Sequence, residues 1–183
     1  MSLNYLGETL DIHGGGQDLV FPHHENEIAQ SEAFTGVTPF AKYWMHNGLL
    51  RMGEEKMSKS TGNLVTIREV VTSHGSDAFR MFVLMSHYRS PLSWSEEGLA
   101  SAGRATQRLV RAVSGSENGS VAEGESGPEP QPFREQFEAA MDDDFNTSQA
   151  IGVLFDLTRE INKASGPVSE AQATLLELAG LLG

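Results

Sequence analysis

No cysteine occurs among the 183 residues, which excludes disulfides and any metal site ligated by thiolates of this chain. That absence does not fix a compartment, and cytoplasm is the expected location. No apolar run approaches the ~18–20 residues needed to span a bilayer, and no signal-peptide pattern is present, so no membrane partner is expected. Basic residues are scarce toward one end. The net charge of −12 divides into −2 over residues 1–115 and −10 over residues 116–183. So acidic a second part argues against a free-standing nucleic-acid-binding module, because neutralising phosphates takes clustered Lys and Arg. A nucleic acid touching only the first part stays open. What is present, 39% hydrophobic and 21% charged residues, is a globular composition and suits one ordinary domain or two small ones.

Met1-Ser2-Leu3 reads as a start codon with vector-derived residues. Thr9-Leu10-Asp11-Ile12 predicts a strand that runs into a tight turn at Gly14-Gly15-Gly16. Residues 23–34, after Pro22, predict a helix with Ile28, Ala29 and Phe34 on its inner face, and residues 42–50 a buried strand followed by a turn. Gly53–Asn63 is polar and predicts a mobile surface loop. Thr66 with Glu69 forms a possible capping box ahead of Ile67, Val70 and Val71. Asp77–Ser86 predicts an apolar helix, and Ser95 opens another that reaches Ser114 with Arg104, Arg108 and Arg111 outward. Ser114–Pro132 is mostly Gly, Ser, Glu and Pro, the composition of a flexible linker. Three amphipathic helices follow, over 133–141, 147–164 and 169–182, the second led by Asp142-Asp143-Asp144 and Thr147.

Several strings carry chemistry. Three glycines after a strand let a ligand approach the backbone, and Asp18 is placed to accept from a ribose diol. The spacing is not the dinucleotide G-x-G-x-x-G, no P-loop occurs, and a glycine triplet taken alone is more often a plain turn. His23 and Glu27, four apart, share one helix face and suit a metal, or else an exposed helix start with satisfied polar groups. His24 lies about 100° away around such a helix. His24-Glu25 is not the start of H-E-x-x-H, because position 28 is Ile. Lys56-Met57-Ser58-Lys59-Ser60 puts two lysines three apart on a loop that can close over a polyphosphate and offset charge on a leaving pyrophosphate. His13-Gly-Gly-Gly would suit an esterase oxyanion hole, but no G-x-S-x-G supplies a nucleophile. His87-Tyr88-Arg89, near Trp94, either contacts nucleic acid or packs against the preceding domain.

The strings DIHGGGQDLVFPHHENEIAQSEA, YWMHNGLL, EKMSKSTGN, SHYRSPLSWSEE and MDDDFNTSQAIGVLFDLTREIN, in this order from Asp11 to Asn162, resemble successive blocks of bacterial cysteinyl-tRNA synthetases. The resemblance implies an α/β fold: the second half of a Rossmann-like class I catalytic domain over 4–66, a helical stem-contact region over 67–114, a linker over 115–132 and a partial anticodon-binding-type helical bundle over 133–183. It also implies an ATP-dependent ligase that joins cysteine to AMP and then passes it to the tRNA for cysteine, with magnesium accompanying ATP. His13 would flank the amino-acid site, and Gly14, Gly15 and Asp18 would hold the adenosine. Lys56 and Lys59, with Met57, Ser58 and Ser60, would form the ATP loop and stabilise the departing pyrophosphate. His23 and Glu27 would be two of four zinc ligands, the zinc taking the cysteine thiolate and so rejecting serine.

The family's two cysteine ligands and its H-I-G-H signature are absent from this sequence and are expected upstream of Asn4. The chain is therefore expected to be a fragment, inactive on its own and without stoichiometric zinc. A mycothiol-pathway cysteine ligase shares the KMSKS string but diverges at HHENE. A non-catalytic interaction module with an acidic helical tail is the remaining alternative. Cysteine-dependent ATP–pyrophosphate exchange discriminates among these. Limited proteolysis is expected to cut first within Ser114–Pro132, at Glu123 or Glu125, since this composition cannot offset an ordering entropy of about 1–2 kcal/mol per residue. First cleavage elsewhere would contradict the boundary.

Overall fold

The computed structural model describes residues 2–52, 55–56, 65–115 and 126–183. The chain forms two units, residues 1–56 with 88–93 and residues 57–87 with 94–183.

In the first unit a short helix α1 (Ser2–Leu6) precedes β1 (Leu10–Gly16), a helical turn over 17–24, α2 (Glu25–Thr35), β2 (Ala41–Asn47), β3 (Leu50–Met52) and β4 (Glu55–Lys56). β1 and β2 are parallel, an arrangement that two strands reach only through a crossover, supplied here by α2. The core of the unit is Leu10, Phe40 and Ala41, with Ile28 of α2 and Trp44 packed on it. Lys42 Nζ bonds Asp11 Oδ1 at 2.8 Å across the pair, which holds the Asp11 carboxyl below and the Lys42 ammonium above their usual ranges. β5 (Leu92–Trp94) lies beside β3, giving the order β4-β3-β5. A Cβ on Gly48 would stand 2.2 Å from the Ser90 carbonyl oxygen, so only glycine allows this approach.

The glycine triplet departs from expectation. It completes β1 instead of turning, with Gly14, Gly15 and Gly16 opposite Met45, His46 and Asn47. None of the three has positive φ; their value is the space left by a missing side chain. The helix expected from residue 23 is present: extended backbone at Phe21 (φ −134°, ψ 134°) marks the break before it, and His24 already has helical angles where α2 begins.

The second unit is helical: α3 (Ile67–His74), α4 (Ser76–Leu84), α5 (Glu96–Ser114), α6 (Gln131–Asp142), α7 (Thr147–Lys163) and α8 (Ser169–Leu181). The capping box at Thr66 is present. The Glu69 N–H donates to Thr66 Oγ1 and the Thr66 N–H donates to Glu69 Oε2 at 2.9 Å. The Thr66 bonds hold the Glu69 carboxyl below its usual range. Ser95 caps α5 by accepting from the Gly98 N–H at 3.0 Å. Leu99, Ala102, Leu109 and Ala112 of α5 are buried, whereas Arg104, Arg108 and Arg111 are exposed, the 3.6-residue stripe expected of a helix with one face on a core. Phe137, Leu154, Leu157, Leu175 and Leu178 bury the inner faces of α6, α7 and α8. Gln172 Nε2 of α8 donates to the Ala112 carbonyl of α5 at 2.7 Å.

Asp142-Asp143-Asp144 does not lead α7. Asp142 ends α6, Asp144 and Phe145 turn the corner at φ 55° and 54°, and Asn146 caps α7 by accepting from the Gln149 N–H. His87 Nε2 lies 3.9 Å from Asp144 Oδ2. The loop expected over Gly53–Asn63 lies outside the described residues apart from Glu55 and Lys56, as do residues 116–125 of the expected linker. Among the described residues no helix is long and apolar enough to cross a membrane.

Leu157 is fully buried in α7. Leu157→Ala is expected to destabilise the second unit by about 2–5 kcal/mol, through lost transfer energy and the cavity left behind. Urea unfolding followed by circular dichroism measures it, and an unchanged midpoint would contradict the core assignment.

Candidate functional site

Side chains alternate along a strand, so His13 and Gly15 share one face of β1, and the register sets them beside Trp44 and His46 of β2. His24, in helical conformation at the start of α2 (φ −68°, ψ −34°), is buried, with only 6% of its surface exposed. Glu27 follows three residues later, near enough to share its side of the helix. Strand and helix thus bring together histidines far apart in sequence.

The contacts are specific. His13 Nε2 lies 2.8 Å from Glu27 Oε2, and His24 Nδ1 lies 2.8 Å from His46 Nε2. The His13 and His24 rings meet edge to face at 4.9 Å, and His13 meets Trp44 likewise at 4.7 Å. His46 stacks on Trp44 with 6° between planes. One ligand atom each from His13, His24 and Glu27 lies within 4.8 Å of the others, a grouping able to hold a metal ion. Burial of the His24 ring, with His13 beside it, holds its pKa below the ordinary imidazole value.

Gly15 makes this packing possible. A Cβ there would lie 2.7 Å from His24 Cε1 and 3.1 Å from its Nε2. At Gly14 a Cβ would meet only the Met45 carbonyl oxygen at 3.5 Å, an ordinary contact. Asp18 is exposed in the turn after β1.

Among the residues singled out from sequence, His13, Gly14 and Gly15 stand on β1, Asp18 just beyond it, and Glu27 on α2. His23 is exposed in the turn before α2 and is not in the converging group. His24, set aside at the sequence level by its angle around an assumed helix, occupies that place. Lys56 ends β4, but its side chain and Met57, Ser58, Lys59 and Ser60 lie outside the described residues. Sequence reasoning missed Trp44 and His46. The available signal was alternation: in Tyr43-Trp44-Met45-His46 the second and fourth residues face the same way as His13 and Gly15 once the strands pair in parallel.

Comparison with known proteins matches residues 1–104 to the family described as tRNA synthetases class I (C) catalytic domain, and residues 136–183 to the DALR domain. The Cysteine--tRNA ligase of Dehalococcoides mccartyi strain 195 is 54% identical over 186 residues, covering 100% of this chain and 40% of that protein. That of Alkalilimnicola ehrlichii is 52% identical over 188 residues, with the same two coverages. The chain thus spans about 40% of the length of these relatives. Among solved structures, an Agrobacterium radiobacter LeuRS in a ternary complex with tRNA and LeuAMS superposes with a TM-score of 0.68 at 20% identity, covering 94% of this chain and 27% of that one. At that identity the likeness shows the fold alone.

Gly15→Ala is expected to push the His24 ring off β1. In the wild-type chain His24 protonates below the ordinary histidine value of about 6.5. The substitution re-exposes the ring to water and moves its titration back up toward that value. Histidine NMR titration reads the shift, and an unchanged His24 curve would contradict the packing.

Proposed function

This chain belongs to the class I tRNA synthetases of the cysteine type, and from that premise we propose that it is the part of a cysteine–tRNA ligase carrying one side of the aminoacyl-adenylate site. The observation that carries the reading is 54% identity to a Cysteine--tRNA ligase along the whole chain, through both HHENE and KMSKS. The proposed reaction is attack of the cysteine carboxylate on the α-phosphorus of ATP, expelling pyrophosphate, followed by transfer of the cysteinyl group to the tRNA for cysteine. Cysteine, magnesium-bound ATP and that tRNA are the proposed substrates and partner. The cytoplasm, where such substrates meet, is the proposed location.

The residues divide the work. Adenosine is proposed to lie along β1 at Gly14 and Gly15, with the open space at Gly14, since the His24 ring fills that at Gly15, and Asp18 accepts from its ribose hydroxyls. His13, held at 2.8 Å from Glu27, flanks the amino acid. Lys56 and Lys59, with Met57, Ser58 and Ser60, close over the phosphates and offset the charge that grows on the leaving pyrophosphate. Domain roles follow the same reading: a catalytic half over 4–66, stem contact over 67–114, a linker over 115–132 and a bundle start over 133–183. The exposed Arg104, Arg108 and Arg111 on α5 suit a tRNA backbone.

The zinc set implied by resemblance does not fit this chain. It needs two thiolates, the sequence has no cysteine, and His23 stands outside the converging donors. His23 and Glu27 as zinc ligands are therefore proposed only for the complete protein, with the thiolates supplied by the remainder of the catalytic domain.

In the complete protein, Lys59→Ala is expected to lower adenylation turnover roughly a hundredfold or more, about 3 kcal/mol, because its charge is needed most in the transition state. Cysteine-dependent ATP–pyrophosphate exchange measures this. An unchanged turnover with only a raised KM for ATP would contradict the role.

A further inference from the structure

The string His87-Tyr88-Arg89 has two readings from sequence, nucleic-acid contact or packing on the preceding domain, and the proposed reaction uses neither. Residues 88–93 belong to the first unit, although the chain on both sides of them belongs to the second. We propose that this segment is a wall of the nucleotide site, and that Arg89 binds the 5′-phosphate of the nucleotide whose ribose Asp18 takes. The inference rests on the adenylate reading and adds to it a phosphate-binding residue outside the Lys56–Ser60 string.

Hydrogen bonds fix the segment at one end of the parallel pair. The Gly48 N–H, one residue past β2, donates to the Tyr88 carbonyl at 2.7 Å, and the Leu92 N–H donates to the Leu49 carbonyl at 3.1 Å. Gln17, one residue past β1, donates from Nε2 to the Arg89 carbonyl at 2.8 Å. Both strands thus meet the segment at their carboxyl ends, and the crevice beyond such ends is where open parallel sheets receive ligands. Asp18 is at the same place: a Cβ on Gly16 would stand 2.6 Å from Asp18 Oδ1 and 3.8 Å from Leu49 Cδ2. The carboxylate, Leu49 and the segment bonded to Leu49 therefore gather round the last residue of β1.

Tyr88 and Arg89 supply the chemistry. The Arg89 guanidinium carbon lies over the Tyr88 ring, 5.0 Å from its centroid, and Arg89 is exposed. The ring contact narrows the range of a long side chain before any ligand arrives, and the guanidinium fork matches phosphate oxygens with paired N–H donors. Lys42 is placed for no such role, being bonded to Asp11 near the opposite end of the pair. A ribose on Asp18 carries its 5′-phosphate only a few bonds away. That is within the sweep of a side chain whose own carbonyl is gripped by the residue next to Asp18. A cation beside a carboxylate matches a mononucleotide, which offers a phosphate and a diol, whereas an RNA backbone calls for clustered cations.

The test measures binding of adenosine and of AMP to the complete protein by calorimetry, with neither cysteine nor tRNA present. The wild type is expected to bind AMP more tightly than adenosine. Arg89→Gln is expected to cut that preference about tenfold, one charge-assisted bond lost, while adenosine affinity moves about twofold at most. Retained adenosine binding also shows that the variant is folded. Gln17→Met, similar in length but without an N–H, is expected to lower the same preference about threefold by releasing the Arg89 carbonyl. In aminoacylation, Arg89→Gln is expected to raise KM for ATP and leave KM for tRNA unchanged. Adenosine binding with an unmoved AMP preference in Arg89→Gln would overturn this assignment and leave the adenylate reading standing, as would a defect confined to KM for tRNA. A wild type that binds neither compound would overturn both.

Discussion

The first unit depends on a side chain that is not there. Because Gly15 carries no Cβ, the His24 ring can lie on β1, where even a methyl would stand 2.7 Å from Cε1. His24 in turn meets His13, Trp44 and His46. Its burial among these rings keeps the imidazole neutral to lower pH than usual, which leaves a lone pair free for hydrogen bonding or coordination. A bulkier residue at position 15 would displace the His24 ring and with it the histidine cluster.

The two units are held by different means. The second follows helical economics: capped ends at Thr66, Ser95 and Asn146 and leucines buried across facing helices, each cap contributing on the order of 1 kcal/mol. The first is a two-stranded parallel pair with a small core. Ile12 and Tyr43, opposite each other in register, are 63% and 69% exposed. Parallel sheets are ordinarily covered on both faces, whereas here this face of the pair is exposed.

Much of this was legible in the sequence, for physical reasons. The capping box at Thr66, the Ser95 cap and the helices of the second unit declare themselves through local hydrogen-bonding chemistry and a 3.6-residue stripe. The glycine triplet did not, because glycine signals a turn and an empty strand face equally well, and only the partner strand decides. The Asp142–Asp144 run looked like helix-entry charge, yet Asn146 holds the cap and two positive-φ residues make the corner. His24 was set aside because it leaves the helix about 100° from His23, and only the packing of its ring over Gly15 of β1, a long-range contact, brings it to His13 and Glu27. Trp44 and His46 needed the β1–β2 register, a long-range fact that no local window contains.

As proposed, this chain carries one side of a cysteine-activating site that the remainder of the catalytic domain completes. The most direct measurement is amino-acid-dependent ATP–pyrophosphate exchange, made on the 183-residue chain and on the same chain joined to the upstream half of a relative. The account predicts no exchange by the chain alone, and exchange with cysteine but not serine once the upstream half is present. Exchange by the chain alone, or a joined protein that prefers another amino acid, would contradict it.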